Sequence, residues 1–231
     1  MDLILNIETS TKVCGVSISK DGVLIDDIES KEGNSHAANL APFIDKLLKR
    51  NNLKYTKLSA IAISQGPGSY TGLRIGTSTA KGLCFALDIP LIAINTLHSM
   101  AANAKKLHPD NKDVLFSPMI DARRMEVYSQ AFDYELNSLD EVTAVIVDEE
   151  SFKDELDSKT ILFFGDGAAK CMDLIIHPNA ILVDDAEASA VGMIDLSYQK
   201  FLKSDFEDVA YFEPFYLKEF VAAISKVKGL R

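Results

Sequence analysis

Ser59-Ala60-Ile61-Ala62-Ile63-Ser64 runs into Gln65-Gly66-Pro67-Gly68-Ser69, and from about Thr71 to Leu87 the apolar residues take up helical spacing. A short apolar strand, a tight glycine–proline turn and a long helix stopped by Asp88-Ile89-Pro90 make one β–turn–α unit. Leu91 to Asn95 supplies the next strand, and Thr96 opens another helix. Upstream, Leu3–Ile7, Val13–Ser19 and Val23–Ile28 read as strands, joined first by the polar turn Glu8-Thr9-Ser10-Thr11-Lys12 and then by the hairpin signal Lys20-Asp21-Gly22. Between them and Ser59, Leu40, Phe43, Ile44, Leu47 and Leu48 fall at i, i+3, i+4, i+7 and i+8, the stripe of an amphipathic helix. Ser35 is its expected N-cap, and Pro42 predicts a kink or a start nearer Asn39.

The resulting order β-β-β-α-β-α-β is that of a ribonuclease-H-like lobe, antiparallel hairpins followed by parallel crossovers. A second, shorter round follows. Val114–Asp121, the turn Ala122-Arg123-Arg124 and Met125–Phe132 repeat the strand–acid–turn–strand arrangement, with Asp121 placed as Glu8 is. Strands at Val142–Val147 and Thr160–Phe164 and a helix from about Glu187 to Lys203 complete it. The fold expected is α/β, an actin-like arrangement of two ribonuclease-H-like lobes with mixed sheets flanked by helices. The lobes are expected at residues 1–106 and 107–210, with 211–231 packing back on the first lobe through a final helix.

Composition narrows the function classes. At 231 residues, 47% hydrophobic and 25% charged, the chain has the proportions of an ordinary globular protein. The apolar run from Leu83 to Ile94 is interrupted by Asp88 and Pro90, so no membrane span is expected, and the N-terminus has no signal-peptide pattern. Cys14, Cys84 and Cys171 are far apart and form no CxxC pair, which reads as small buried hydrophobes in a reducing cytoplasm. The net charge of −10 argues against autonomous binding to nucleic-acid phosphates. Nearly all of it lies between Asp133 and Asp157, where ten acids face the single Lys153, and this stretch reads as a solvated strand edge and helix face.

The turn Gly66 to Ser69 puts backbone N–H groups at a helix N-terminus, where dipole and unpaired donors favour an anion. It is neither a Walker A loop nor a dinucleotide fingerprint. With the hydroxyl-bearing turn after Glu8, the candidate nucleotide-binding residues are Thr9, Ser10, Gly66, Gly68 and Ser69; a plain capped turn is the competing reading. In the helix that follows, Gly72, Gly76 and Ala80 at spacing four form a smooth strip, fit either for a partner's backbone or for this chain's own neighbouring element. The first alternative makes His36, Leu40, Thr71, Gly72, Ile75, Gly76 and Thr79 the candidate partner interface. The four histidines form no i, i+4 pair, no GxSxG elbow occurs and no cysteine has a histidine nearby, so neither a catalytic residue nor a metal site is assigned.

With these residues in hand, the chain resembles the TsaB (YeaZ) family. The matches are Ile7-Glu8-Thr9-Ser10-Thr11, His36, the run Gly66-Pro67-Gly68-Ser69-Tyr70-Thr71-Gly72-Leu73-Arg74-Ile75-Gly76, Asp121-Ala122-Arg123-Arg124 with Glu126-Val127-Tyr128, Gly165-Asp166-Gly167 and Pro214-Phe215-Tyr216-Leu217. The resemblance implies a cytoplasmic, non-catalytic subunit of tRNA threonylcarbamoyladenosine (t6A) synthesis. Such a subunit pairs with a TsaD-like catalytic chain and a TsaE-like ATPase, forms a homodimer when alone, and meets tRNA only through the complex. It implies no intrinsic cofactor, with ATP or ADP a candidate at the subunit junction. Glu8 stands where the family usually has aspartate, and His36 is followed by Asn39 and Leu40, so the metal-binding HxxxH pair of the catalytic relative is not formed. The reading from another class is a stand-alone actin-like enzyme, a nucleotide-dependent kinase or a peptidase.

Overall fold

The computed structural model describes residues 1–32, 36–108 and 112–218. The first sheet contains β1 (Leu3–Glu8), β2 (Cys14–Lys20), β3 (Val23–Ser30), β4 (Ala60–Gly66) and β5 (Leu91–Asn95) in the order β3-β2-β1-β4-β5. Its hairpin strands pair antiparallel, and β1, β4 and β5 run parallel. The second sheet contains β6 (Val114–Asp121), β7 (Glu126–Ser129), β8 (Thr143–Ile146), β9 (Thr160–Phe164) and β10 (Ala180–Val183), ordered β8-β7-β6-β9-β10 with the same senses. Each sheet thus has two antiparallel hairpin strands on one side of its first strand and two parallel crossover strands on the other, which is the duplicated two-lobe fold expected.

β1 is buried at every position because both of its faces are covered. Leu3, Leu5 and Ile7 face α1 (His36–Arg50) and α2 (Tyr70–Leu87), and join Leu40, Ile44, Leu47, Ala80 and Cys84 in one core. Ile4, on the opposite face, packs with Ala60, Ala62, Ile92 and Ile94 against Met193, Leu196 and Phe201. The last two of these belong to α5 (Ile194–Leu202). The helix expected to complete the second lobe therefore starts seven residues later than Glu187 and covers the first sheet. Conversely α3 (Thr96–Leu107) packs Leu97, Met100, Ala101 and Ala104 on Phe116, Ile120 and Phe164 of the second sheet. The cores consequently do not divide at 106/107, since each lobe's sheet is closed by a helix from the other stretch of sequence.

Buried polar groups fix that exchange. Asn6 Nδ2 donates to Ser17 Oγ (3.3 Å), Ser17 Oγ donates to the Ala190 carbonyl (2.9 Å), and Ser197 Oγ of α5 donates to Asn6 Oδ1 (2.7 Å). The far face of the second sheet holds Met119, Val127, Leu156 and Phe163, with Leu156 supplied by the short α4 (Lys153–Ser158).

Three local expectations change. α1 begins at His36 and carries Pro42 in its interior, so a start near Asn39 is excluded; Ser35, its expected cap, lies outside the described residues. The strands expected at Met125–Phe132 and Val142–Val147 are shorter, and Phe132 pairs separately with Phe116. Residues 211–216 lie along the first lobe, with Phe212 in its core, the Phe215 N–H on the Gln65 carbonyl (2.7 Å) and Tyr216 against Tyr70; the helix expected further on lies outside the described residues. All three cysteines are free and buried, and burial pushes the Cys14 thiol up to about 11 and that of Cys84 to about 12.

Candidate functional site

Between the lobes lies a cleft of about 890 Å³. One wall is the β1–β2 turn with the start of α2, and the other is the β6–β7 turn with the Gly165-Asp166-Gly167 turn after β9.

On the first wall everything turns on Glu8, the fully buried last residue of β1. Its Oε1 accepts from the Ser10 N–H (2.6 Å), Ser10 Oγ (2.5 Å) and Ser64 Oγ (3.0 Å), while Oε2 has no partner. Burial raises the Glu8 carboxyl well above the ordinary carboxylate range, against the opposing effect of the Ser10 and Ser64 bonds. A buried carboxyl thus occupies the donor that a phosphate loop would present at Ser10.

The start of α2 is closed from the same side. The Ser69 N–H donates to the Ser10 carbonyl (2.5 Å), and Ser69 Oγ caps the helix by accepting from the Gly72 N–H (3.3 Å). A Cβ on Gly72 would stand 2.0 Å from the Thr9 carbonyl oxygen, and one on Gly76 2.2 Å from Thr9 Oγ1 and 2.8 Å from Ile63 Cδ1. The positive end of α2 is therefore met by carbonyl oxygens of its own chain. Of the five nucleotide candidates, Ser10, Gly68 and Ser69 line the cleft, whereas Thr9 and Gly66 are buried outside it. The group does not form a cradle of converging N–H donors, because Ser10 and Ser69 spend theirs internally.

The glycine strip resolves in the same contacts. Gly72 and Gly76 pack on Thr9 inside the chain, and Leu40 is 1% exposed in the α1 core, so these three of the candidate interface residues are buried within this chain. His36 is also buried, with Nε2 3.2 Å from the Val13 carbonyl oxygen. Thr71 remains exposed, and Ile75 and Thr79 half-buried. Beside them α1 turns Ala37, Ala38, Ala41 and Pro42 outward, a small, weakly polar surface that the sequence reading missed. Its signal was there: Ala38 and Pro42 lie opposite the Leu40–Ile44–Leu47 stripe, Ala37 and Ala41 flank it, and none of the four carries a charge.

On the second wall Asp121 ends β6 as Glu8 ends β1. Its N–H donates to Asp166 Oδ1 (3.0 Å), and its own carboxylate accepts from the Arg123 N–H (3.0 Å) and pairs with Lys170. Burial raises the Asp166 carboxyl against the opposing effect of the Asp121 N–H bond, and the charges of Asp121 and Glu187 add to the rise. Lys12 and Lys31 both pair with Glu187 at the cleft's edge, at 3.1 and 2.7 Å; burial works to raise the Glu187 carboxyl, but the two lysines hold it below its ordinary range. Among the described residues no three His, Cys, Asp or Glu side chains are grouped to hold a metal ion, and no helix is long and apolar enough to cross a membrane.

Two duplicated lobes facing a cleft, each with an acid closing its first strand, define a protein of the actin-like fold. YeaZ from Pseudomonas aeruginosa has the same fold, with a TM-score of 0.81 at 23% identity over 94% of this chain and 100% of that one. Residues 29–225 match the family described as TsaD, tRNA N6-adenosine threonylcarbamoyltransferase. The TsaB protein of Haemophilus influenzae, described as a tRNA threonylcarbamoyladenosine biosynthesis protein, is 29% identical over 93% of both chains. That of Bacillus subtilis is 35% identical over 60% of this chain and 58% of its own length. The chain belongs to this family, in its TsaB (YeaZ) branch.

Proposed function

We propose that this chain is a non-catalytic subunit of t6A synthesis, which supports a TsaD-like catalytic subunit and a TsaE-like ATPase. The observation that carries this reading is the occupied first turn: the Glu8 carboxyl takes the Ser10 donors, and the Thr9 and Ser10 carbonyls fill the start of α2. An actin-like kinase uses such a turn to hold phosphate, and here it holds the protein together. The family name and the TsaB relatives support the assignment to t6A chemistry.

In this reading the contact surface is the α1–α2 face, where Ala37, Ala38 and Ala41 allow close approach beside Thr71, Ile75 and Thr79. That face adjoins the cleft, whose lining includes Ala37, Thr71 and Ile75, so a partner seated there covers the cleft mouth and makes it the junction at which ATP or ADP binds. The same face serves a homodimer when the chain is alone, and tRNA is met through the complex.

The test is reconstitution. The purified chain should neither form t6A nor cleave peptides, and t6A formation should appear on adding a TsaD-like chain, a TsaE-like ATPase, an activated threonylcarbamoyl donor and tRNA. Turnover by this chain alone at about 1 per second or faster, a typical enzyme rate, would refute the reading.

A further inference from the structure

Lys218, the last described residue, is ion-paired with Glu126 on β7. Glu126 stands directly opposite Ile146 in the antiparallel β7–β8 ladder, so the two side chains share one face of the second sheet. On the other face Val127 is buried with Val145 against it, but Ile146 is 72% exposed. β8 is also the outermost strand of its sheet, the kind of edge that proteins usually cover or charge. Exposed Asp140 and Glu141 precede it, and exposed Asp148, Glu149 and Glu150 follow.

Residues 219–231 read Glu-Phe-Val-Ala-Ala-Ile-Ser-Lys-Val-Lys-Gly-Leu-Arg. Phe220, Ile224 and Val227 recur at i, i+4 and i+7, and Lys226, Lys228 and Arg231 outnumber Glu219. We propose that the Ile146 face of β7–β8 is the docking surface for this chain's own residues 219–231, with the apolar stripe over Ile146 and the basic positions against the acidic rim. The Lys218–Glu126 pair delivers the chain to this face. At helical rise thirteen residues span about 20 Å, several times the roughly 4.8 Å between neighbouring strands, so the reach suffices. Charge complementarity sets the direction, because three of the segment's four charged residues are cationic while the rim of β8 is acidic. The acidic stretch thereby acquires a role within the chain rather than toward an outside cation.

Photo-crosslinking in the full-length protein tests this. With benzoylphenylalanine in place of Ile146, crosslinks are expected to peptides within 219–231 of the same chain, falling in yield in about 1 M salt, where the Debye length is only some 3 Å. Crosslinks to other segments, or only between isotopically distinguished copies, would overturn the proposal, the latter in favour of a second copy on this face. Hydrogen exchange gives an independent readout. Removing residues 219–231 should speed amide exchange of residues 143–147 about tenfold, as expected when a cover is lost from an edge strand, and Phe220→Asp in the full chain should do the same. Unchanged exchange in a folded Phe220→Asp protein would also overturn it.

Discussion

Gly72 and Thr9 meet backbone against backbone: a methyl group on Gly72 would stand 2.0 Å from the Thr9 carbonyl oxygen, closer than any side chain can come. Helix α2 is thus held against the β1–β2 turn by the absence of a side chain, and the turn in turn places Ser10 over Ser69.

Three glycines of one helix should therefore respond in opposite senses. Gly72→Ala must push α2 off the turn, with an overpacking cost of about 1–3 kcal/mol, and Gly76→Leu should cost at least as much because Thr9 and Ile63 are both in its way. Gly82 has nothing within 4 Å of its added Cβ, so Gly82→Ala should gain up to about 1 kcal/mol of helix propensity. Urea melts of the three variants decide this; equal stability of Gly72→Ala and Gly82→Ala would sink the close-approach argument. The sequence left open a folded Gly76→Leu monomer with lost assembly, and the packing now predicts an unstable one.

Glu8 should make stability depend on pH. Its folded carboxyl titrates above the ordinary 4.5, so the contribution of the protonated form is fully present below about that pH and is lost as pH rises toward the folded value. Glu8→Gln keeps an acceptor for Ser10 and Ser64 and cannot ionise. Urea midpoints of the two proteins between pH 4 and 8 should diverge, with the wild type losing ground to Glu8→Gln as pH rises. Parallel curves would mean that burial does not raise this carboxyl above its ordinary range.

The two sheets were legible because their strands are period-two or continuously apolar, and α2 begins within one residue of the position read from its periodicity. What failed has a physical pattern. Ala186, Ala188 and Ala190 are strong helix formers, yet all three are buried at spacing two in a non-helical segment, so burial overrode propensity and α5 starts only at Ile194. α4 and β10 went unread, since six and four residues carry too little periodicity to be seen. The exchange of α3 and α5 between the lobes was invisible because an apolar stripe does not say which sheet it will cover. Asn6 and Ser17, polar in otherwise apolar strands, were the one hint that a polar-bearing element covers that face. At the site, the glycine strip was readable as a close approach, but not which backbone approaches.

The α1–α2 face separates folding from association. Ala41 is exposed at the edge of the core stripe, so Ala41→Glu should leave stability within about 0.5 kcal/mol, as for most surface substitutions. Desolvating an unpaired carboxylate in a closely packed interface is costly, and the variant should fail to co-purify with a TsaD-like chain. Retention of normal assembly by the folded variant would move the contact surface elsewhere.

The final prediction concerns the exchanged helix. Ser197 of α5 and Asn6 of β1 lie 191 positions apart in sequence, yet they share a 2.7 Å hydrogen bond from which all solvent is excluded. Ser197→Ala should cost about 1–3 kcal/mol, because Asn6 Oδ1 is left buried without its donor. Asn6→Ala should cost more, since it removes both the bond to Ser197, whose hydroxyl keeps the Ile194 carbonyl, and the bond to Ser17, whose hydroxyl still holds the Ala190 carbonyl, and also leaves a cavity. If α5 closes the first lobe through this pair, the double variant will be less destabilised than the sum of the singles, with a coupling of about 0.5–3 kcal/mol, the range for residues in one network. Denaturant melts of the four proteins measure it directly. Additive losses would show that α5 and β1 contribute independently, and that the exchange of helices between lobes rests on apolar packing around Met193 and Phe201 alone.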